Sequence, residues 1–381
     1  GRLYGKLVNV TNTGKVKGIA TYNAGVAGFV QQGAVLDGVK NYGEITSSAA
    51  YVAGVAAYVY EDAEFNKCVN YGNISSSVAA GYAAGIAATA LPSKFVECVN
   101  EGQISSGSSA GIVANCSGKS GGLIYTFDRC QNNGEVTGNG ILGGITAVQG
   151  ATAGNNVCHY IQCVNNGDIT ATATQAVSSS AMAGIAAFYS PGSVFEYCIN
   201  TGFVTNTKSV YTAGIAANNK GSATADYPVV FKGCVNTGNI ASSAQQIAGI
   251  VAYITNYTSV DSCLNYGTIE QGIWGAAGIC YTMAGTTSSL TNCINYGDVS
   301  VTQYNAGGIV GNCASTTAVI ENCVNVGNIT STTTAEKNNY GVGGIAGSSY
   351  ATMKNCFNAG KVVGKLRVGG IVGSPSYNAN G

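Results

Sequence analysis

The stretch NCVNVGNITS, Asn322–Ser331, contains the pattern that decides the fold. Near-copies begin at Lys67 (KCVNYGNISS), Gln162 (QCVNNGDITA) and Asn292 (NCINYGDVSV). The shared motif Asn-x-Gly-x-[Val/Ile] occurs twelve times, with its glycine at positions 14, 43, 72, 102, 134, 167, 202, 238, 267, 297, 327 and 360. Spacings run from 29 to 36 residues, and 29 or 30 is commonest. A repeat of this period is typical of a solenoid or an array.

Three columns of the repeat are apolar in all twelve units, and we expect them to face inward. The first is the Val or Ile two residues after the motif glycine. The second is the Ile or Val of a later signature, [Ala/Gly]-Gly-[Ile/Val], and the third lies three residues before the cysteine column. The residue directly after the motif glycine is mostly polar, so we expect it to face solvent. Short β-branched segments separated by Gly, Asn and Ser predict strands joined by turns.

These columns predict an all-β fold, a right-handed parallel β-helix (β-solenoid) of about twelve three-stranded coils, because stacked identical coils place each column above its predecessor. We expect residues 1–381 to form a single β-solenoid repeat domain that is an excerpt of a longer protein, since the chain starts in mid-pattern. A β-propeller-like array is the alternative, although its units are usually nearer ~40 residues.

Extra residues collect at two points of the repeat. They follow the Gly-x-[Ile/Val] strand near Gly167 and Gly327, and the second signature near Gly111, Gly144 and Gly214. Insertions confined to turns predict protruding loops, where binding residues are often found.

The cysteine column indicates a structural role. Ten units have Cys there, but the first two have Val10 and Val39. Valine cannot replace a metal ligand or a redox thiol, whereas it can replace a small buried apolar residue. No Cys-x2-Cys pair occurs and His159 is the only histidine, so we predict a ladder of buried, reduced cysteines, no metal site and no cofactor. Four cysteines lie outside the column, and their redox state is left open: Cys116, Cys158, Cys280 and Cys313.

The Asn of the motif is present in all twelve units. Stacked at ~4.8 Å, asparagine amides form a hydrogen-bonded ladder. We expect the motif glycine that follows to supply a positive φ at the corner of the coil.

Composition limits the range of partners. Lys+Arg and Asp+Glu are balanced at 17 each, so no net charge favours nucleic acid. No apolar run approaches ~18 residues, so we expect no membrane insertion within this chain.

Four of the 23 tyrosines lie between the motif Asn and Gly, as two neighbouring pairs. Tyrosines in such exposed positions, with Asn, Ser and Thr nearby, suit stacking against sugar rings or binding a protein partner. A stacked tyrosine ladder that only shields the corner is the alternative interpretation. The candidate binding residues are Tyr42, Tyr71, Tyr266 and Tyr296.

Acidic residues give a weaker signal. Glycoside hydrolysis needs two nearby carboxylates, and Glu135 and Asp168 occupy the solvent column of adjacent units. Two chance acids on a solvated face are the favoured interpretation of this pair, so we expect no catalytic residues and no enzyme activity. The segment YEDAEF, Tyr60–Phe65, contains oxygen ligands suited to calcium but is favoured as a solvated loop.

The segment GGIVGNCASTTAVIENCVNVGNITS, Gly307–Ser331, resembles the GLUG-type repeat of large bacterial surface proteins and adhesins. That repeat is built on a Gly-Gly-Leu-Val-Gly segment and a later Asn-x-Tyr-x-x-Gly-x-Val segment. The resemblance covers nearly the whole chain and is strongest over Ala276–Gly373, with Ile in place of Leu and Cys where an aromatic residue is common. It implies export and a stalk or adhesive role, and it brings no catalytic residues.

We therefore expect an exported bacterial cell-surface or extracellular repeat protein. It would act as an adhesive or spacer scaffold and bind a glycan, or a protein on a host or neighbouring cell, through its faces and loops. A carbohydrate-processing β-helix enzyme, a polysaccharide lyase or glycosidase, is the alternative, and a spacer without any ligand is the third possibility.

Overall fold

The computed structural model describes residues 1–19, 21–118, 124–149, 156–172, 180–206, 210–243, 245–271, 274–332 and 340–374. Within these ranges, all helical or extended structure is β-strand. The strands form five sheets of twelve or thirteen strands, and neighbours pair in parallel and in register, as Val69 does with Val99. This arrangement is a β-solenoid of about twelve coils, which confirms the predicted fold class. The right-handed sense of the coil stays a prediction.

Each coil contains five short strands rather than the three predicted. We number the sheets 1 to 5 in chain order, starting with the strand that precedes the cysteine column and ending with the strand that follows the second signature. The segment around the cysteine column is divided between sheets 1 and 2, because the backbone bends at the residue before that column.

Sheets 1 and 2 lie on either side of this bend. Sheet 1 consists of Lys6–Val8, Val35–Asp37, Glu64–Asn66, Lys94–Val96, Ile124–Asp128, Val157–Ile161, Val194–Glu196, Val229–Lys232, Thr258–Asp261, Ser289–Thr291, Val319–Glu321 and Thr352–Lys354. Sheet 2 consists of Thr11–Asn12, Lys40–Asn41, Val69–Asn70, Val99–Asn100, Gln131–Asn132, Val164–Asn165, Ile199–Asn200, Val235–Asn236, Leu264–Asn265, Ile294–Asn295, Val324–Asn325 and Phe357–Asn358.

Sheet 3 follows the motif glycine, and sheet 4 leads into the second signature. Sheet 3 consists of Val16–Gly18, Ile45–Ser47, Ile74–Ser76, Ile104–Ser106, Val136–Gly138, Ile169–Ala171, Val204–Asn206, Ile240–Ser242, Ile269–Gln271, Val299–Val301, Ile329–Ser331 and Val362–Val363. Sheet 4 consists of Tyr22–Ala24, Tyr51–Ala53, Tyr82–Ala84, Ser108–Ala110, Leu142–Gly143, Ala181–Ala183, Tyr211–Ala213, Gln246–Ala248, Gly275–Ala277, Ala306–Gly307, Val342–Gly343 and Val368–Gly369.

Sheet 5 follows the second signature and has one more strand than the others. It consists of Arg2–Leu3, Ala27–Val30, Ala56–Val59, Ala87–Ala90, Val113–Cys116, Thr146–Gln149, Ala186–Tyr189, Ala216–Asn219, Val251–Ile254, Cys280–Met283, Val310–Cys313, Ala346–Ser349 and Val372–Ser374.

The positive backbone φ lies at a different position from the one predicted. The motif glycines have no positive φ, so that prediction is wrong. At Gly43 a methyl group would overlap the carbonyl oxygen of Gly14 in the preceding coil, so glycine is required there for close approach of two backbones. The left-handed residue is instead the one before the cysteine column in every unit: Asn9, Gly38, Lys67, Glu97, Arg129, Gln162, Tyr197, Gly233, Ser262, Asn292, Asn322 and Asn355.

The interior of the solenoid is divided into two hydrophobic cores. One core contains the aliphatic residue of the second signature, the cysteine column and the apolar column three residues before it, such as Ile86, Cys98 and Phe95. The other contains the Val or Ile that follows the motif glycine, packed on sheet 4, such as Ile45 on Val52. All three predicted inward columns are therefore confirmed, although residues of the terminal coils are only partly buried and Ile371 is exposed.

The asparagine ladder lies between the two cores, and its prediction is confirmed. Asn70 is fully buried; its Nδ2 donates to the Gly72 carbonyl at 2.8 Å and to Asn100 Oδ1 at 2.8 Å. The same pair of bonds recurs from coil to coil. A methyl group at Gly54 of the second signature would overlap the Asn70 side chain and the Gly85 carbonyl oxygen. We call this narrow zone of ladder and signature glycine the waist of the coil.

The cysteines are all free thiols, and thirteen of the fourteen are buried. In the ladder, thiols of neighbouring coils contact each other. Nine of the ten donate to a main-chain oxygen of the preceding coil, as Cys98 Sγ does to the Phe65 carbonyl at 3.3 Å. Burial raises the pKa of the Cys130 and Cys198 thiols. These thiols are therefore protonated and poorly nucleophilic at neutral pH.

Because the other thirteen cysteines are buried out of reach of a reagent, alkylation of the native protein should modify at most Cys356, the one cysteine that is only partly buried. Iodoacetamide at pH 8, followed by intact-mass measurement, checks this expectation. After unfolding in denaturant without reductant, all fourteen cysteines should be modified. A mass that shows mostly disulfides in the unfolded protein would contradict the reduced ladder.

Candidate functional site

The four candidate tyrosines lie in one exposed column, which we call the corner column, between the ladder Asn and the motif Gly. Tyr42 and Tyr71 stack with their ring centroids 4.5 Å apart and their planes 9° apart. Tyr266 and Tyr296 stack at 4.7 Å and 3°. Their side chains are 41 to 49% exposed. The parallel register of neighbouring coils produces both stacks, because Tyr71 N–H donates to the Asn41 carbonyl, next to Tyr42.

A chain of polar side chains occupies the corner column beyond Tyr71. Asn133 Nδ2 donates to Glu101 Oε1 at 2.9 Å, and Asn166 Nδ2 donates to Asn133 Oδ1 at 2.8 Å. Thr201 Oγ1 then donates to Asn166 Oδ1 at 2.8 Å. The amides and the hydroxyl of this segment satisfy one another, so the two tyrosine pairs differ from it chemically.

A polar groove of about 390 Å³ lies beside the first tyrosine pair. Thr13 occupies the corner column of the preceding coil and lines the groove with Tyr42, and its small side chain leaves room next to the Tyr42 ring. The other walls are polar groups that follow the motif glycine: Lys15, Glu44 and Asn73. We call this site the tyrosine groove.

The charged groups of the tyrosine groove pair with each other. Lys15 Nζ and Glu44 Oε2 are 2.9 Å apart. The hydrogen bond between them lowers the pKa of the Glu44 carboxyl and raises that of the Lys15 ammonium. Partial burial raises the pKa of the Tyr71 hydroxyl, with a smaller contribution from Tyr42. The Tyr71 hydroxyl is therefore a neutral donor and acceptor at physiological pH.

The second tyrosine pair has different neighbours. Thr268 and Asp298 occupy the positions that Glu44 and Asn73 occupy beside the first pair. Asp298 Oδ1 accepts a hydrogen bond from Asn328 N–H at 2.7 Å. The pair also borders Val326, an exposed apolar residue in the next coil. The same stack thus occurs in two environments. We place the candidate site at Tyr42 and Tyr71, because the polar groove lies beside this pair.

Several residues of the solvent column, directly after the motif glycine, bond the main chain of the next coil. Asp168 Oδ1 accepts from the main-chain N–H of Phe203 in the next coil at 2.9 Å. Asn73 and Asn239 make the equivalent bond to their following coils. Glu135 and Asp168 do lie in adjacent coils, since Val136 pairs with Ile169. A main-chain N–H of the next coil needs an acceptor at this position, and this requirement is sufficient to explain the carboxylate of Asp168.

The acidic segment Tyr60–Phe65 is held by neighbouring coils. Glu64 forms an ion pair with Lys94 at 3.4 Å, and Asp62 Oδ2 accepts from Gln32 Nε2 at 3.4 Å. In the described part of the chain, no three His, Cys, Asp or Glu side chains are grouped to hold a metal ion.

A second aromatic cluster was not singled out in the sequence. Tyr22, Tyr51 and Tyr82 stack along sheet 4 with centroids 4.9 and 5.6 Å apart. Tyr58 of sheet 5 meets Tyr22 edge-on at 5.7 Å, with Phe29 beside them. Spacings of 29 and 31 residues between the stacked tyrosines were the available signal. Because these rings are half-buried against each other, they leave less free surface than the Tyr42 corner.

Cys158 and His159 are adjacent in sequence but lie on opposite faces of their strand. Cys158 is fully buried, while His159 lines a shallow outer groove with Tyr227. Burial lowers the pKa of the imidazole, and Glu196 partly opposes this effect. Tyr227 belongs to the insertion after Asn219, which is described. Much of the other four predicted insertions lies outside the described residues, at 119–123, 150–155, 173–179 and 333–339.

Among the described residues, no helix is long and apolar enough to span a bilayer. Comparison with known proteins adds no assignment: no family model, no curated protein and no solved structure matches the chain. The functional inference therefore depends on the fold and on the geometry of the tyrosine groove.

Proposed function

We propose that this chain is an exported, surface-displayed adhesive scaffold that binds a glycan in the tyrosine groove. The observation that supports this proposal best is the groove itself. It joins a stacked, half-exposed tyrosine pair to an ammonium, a carboxylate and a carboxamide within one concave surface. Aromatic rings bind the apolar faces of sugars, and a few polar groups orient the hydroxyls.

The rigidity of the corner supports the same function. Tyr42 and Tyr71 belong to backbone segments fixed by main-chain hydrogen bonds to the preceding coils, of 2.8 and 2.7 Å respectively. Their stacking restricts both rings before any ligand arrives. A preorganised site loses less conformational entropy on binding. The solenoid thus acts as a support that presents a small site at a fixed position.

Export and surface display are supported by the resemblance of Gly307–Ser331 to surface-protein repeats and by the rod-like repeat architecture. Free, buried thiols fit an oxygen-poor habitat, because oxidising compartments favour disulfides. A protein partner or a pure spacer role would be indicated by the absence of binding across a broad glycan panel.

Tyr42→Ala should weaken glycan binding at least about tenfold, because it removes the ring face that borders the open side of the groove. The measurement is a glycan array with the purified chain, followed by calorimetric titration of the strongest neutral or acidic ligand found. An assay for new reducing ends in the same samples separates binding from cleavage.

Tyr266→Ala is the matched variant, since it removes a ring from an equivalent stack outside the proposed groove. We expect its glycan affinity to stay within about twofold of the wild type. Equal losses in both variants, or a loss only in Tyr266→Ala, would show that the tyrosine groove is not the binding site.

A further inference from the structure

A second groove lies across sheet 3 from the tyrosine groove. It has a volume of about 380 Å³ and is lined by side chains from the same three coils. Lys17 and Ile19 come from the first coil, Thr46 and Ser48 from the second, and a run of serines, 75–77, from the third. We call it the hydroxyl groove.

The two grooves share one face of the molecule. Along a strand, alternate residues point to the same side. Glu44, Thr46 and Ser48 are accordingly all exposed, while the intervening Ile45 and Ser47 are buried. The strands also pair in register, so that Lys17, Thr46 and Ser75 form one row across the three coils. The outer face of sheet 3 therefore connects the grooves without interruption.

The dimensions of this face suit a chain rather than a single sugar. From Glu44 to Ser48 the backbone extends roughly 13 Å at ~3.3 Å per residue, and three coils add about 10 Å in the perpendicular direction. A short oligosaccharide that lies along the strands can contact both grooves at once. The tyrosine pair is at one end, and Ile19, which is 88% exposed, is at the other.

The charge on this face is asymmetric. Lys15 is paired with Glu44, whereas Lys17 forms no ion pair within the described part of the chain. Lys17 is exposed and is surrounded by hydroxyl groups. An ammonium without a counter-charge, next to hydrogen-bonding hydroxyls, favours a carboxylate on a polyhydroxylated ligand.

From these contacts we infer that the ligand is an acidic oligosaccharide, such as a uronate-containing chain, that spans both grooves and places a carboxylate at Lys17. This inference rests on the proposed glycan-binding function. It adds the class of glycan and its orientation, which is along the strands of sheet 3. Neutral sugar units bind at Tyr42, and the acidic unit binds in the hydroxyl groove.

The test uses tetrasaccharide probes that alternate neutral and glucuronate units, hyaluronan and unsulfated chondroitin fragments, each in acid and methyl-ester form. At low salt, the wild type should bind at least one acid about tenfold more tightly than its ester, and the preference should shrink as salt screens the charge. Lys17→Gln should reduce affinity for the acid about tenfold and affinity for the ester by no more than about twofold. Lys361→Gln, an exposed lysine in the last coil, should change neither.

The outcomes separate the two proposals. If glycans bind through Tyr42 but acid and ester bind equally, or Lys17→Gln has no effect, the acidic ligand is wrong and the proposed function stands. If no probe and no arrayed glycan binds, both are wrong. Ser48→Ala, which removes one hydroxyl from the groove and no charge, should lower affinity for acid and ester alike by a few-fold, and an unchanged affinity for both would contradict a ligand that reaches this groove.

Discussion

Gly249→Ala should destabilise the solenoid by about 4 kcal/mol, the largest stability effect that we expect from a single methyl group in this chain. Gly249 belongs to the second signature and lies at the waist. A methyl group there would overlap the carbonyl oxygen of Gly278 and the side chain of Asn265. Neither group can move freely, because the first is backbone and the second is a member of the buried ladder.

Gly370→Ala provides the control for this prediction. It occupies the same column in the last described coil, where a methyl group would meet nothing within 4 Å. We expect a change of less than about 0.5 kcal/mol. Denaturant unfolding followed by circular dichroism compares the two variants. Equal stability of Gly249→Ala and Gly370→Ala would disprove the close approach at the waist.

Asn236→Ala should cost about 3 kcal/mol in unfolding free energy, because it breaks a buried hydrogen-bond chain in the middle of the array. Asn236 Nδ2 donates to the Gly238 carbonyl at 2.9 Å and to Asn265 Oδ1 at 2.8 Å. Its own Oδ1 accepts from Asn200 Nδ2 at 2.8 Å. In this fully buried position, the substitution leaves a donor on Asn200 and acceptors on Gly238 and Asn265 without partners.

The neighbouring residue supplies the comparison. Thr237 is exposed, and its hydroxyl makes only a long hydrogen bond of 3.4 Å to the Asn200 carbonyl. Thr237→Ala should change stability by less than about 0.5 kcal/mol. The same unfolding assay measures both variants. If Asn236→Ala is as stable as Thr237→Ala, the ladder contributes register but little free energy.

Much of the fold could be predicted because identical positions in each unit experience the same environment. Val10 and Val39 in the cysteine column correctly indicated a buried, apolar site, and the unbroken Asn column correctly indicated a ladder. The role of the motif glycine could not be read in this way. A column of glycine results equally from a positive φ and from close backbone contact, and only the coordinates show that Gly43 faces a carbonyl oxygen.

The positive φ of the residue before the cysteine column could not be predicted for a related reason. Residues such as Lys67, Glu97 and Arg129 occupy this position, although their intrinsic preference for this conformation is poor. Hydrogen bonds and packing of the whole array outweigh a local cost of about 1 kcal/mol. Tertiary context therefore decides a conformation that no single residue type indicates.

The candidate site was predictable in part. The sequence places Tyr42 and Tyr71 in adjacent coils, and the structure brings their rings together. The groove beside them depends on the small side chain of Thr13 and on the ion pair of Lys15, which are matters of side-chain geometry. The Tyr22 cluster joins rings from two different sheets, so predicting it would have required the angle between those sheets.

The hydrogen bonds that join one coil to the next have a mechanical consequence. They lie nearly along the axis of the rod, so tension applied to its two ends acts on all coil interfaces in series. The weakest interface then sets the force at which the rod opens, whatever its length. Each released coil of about 30 residues lengthens the molecule by roughly 100 Å, compared with about 4.8 Å while it is stacked. A solenoid built this way can lengthen under load while its remaining coils stay folded.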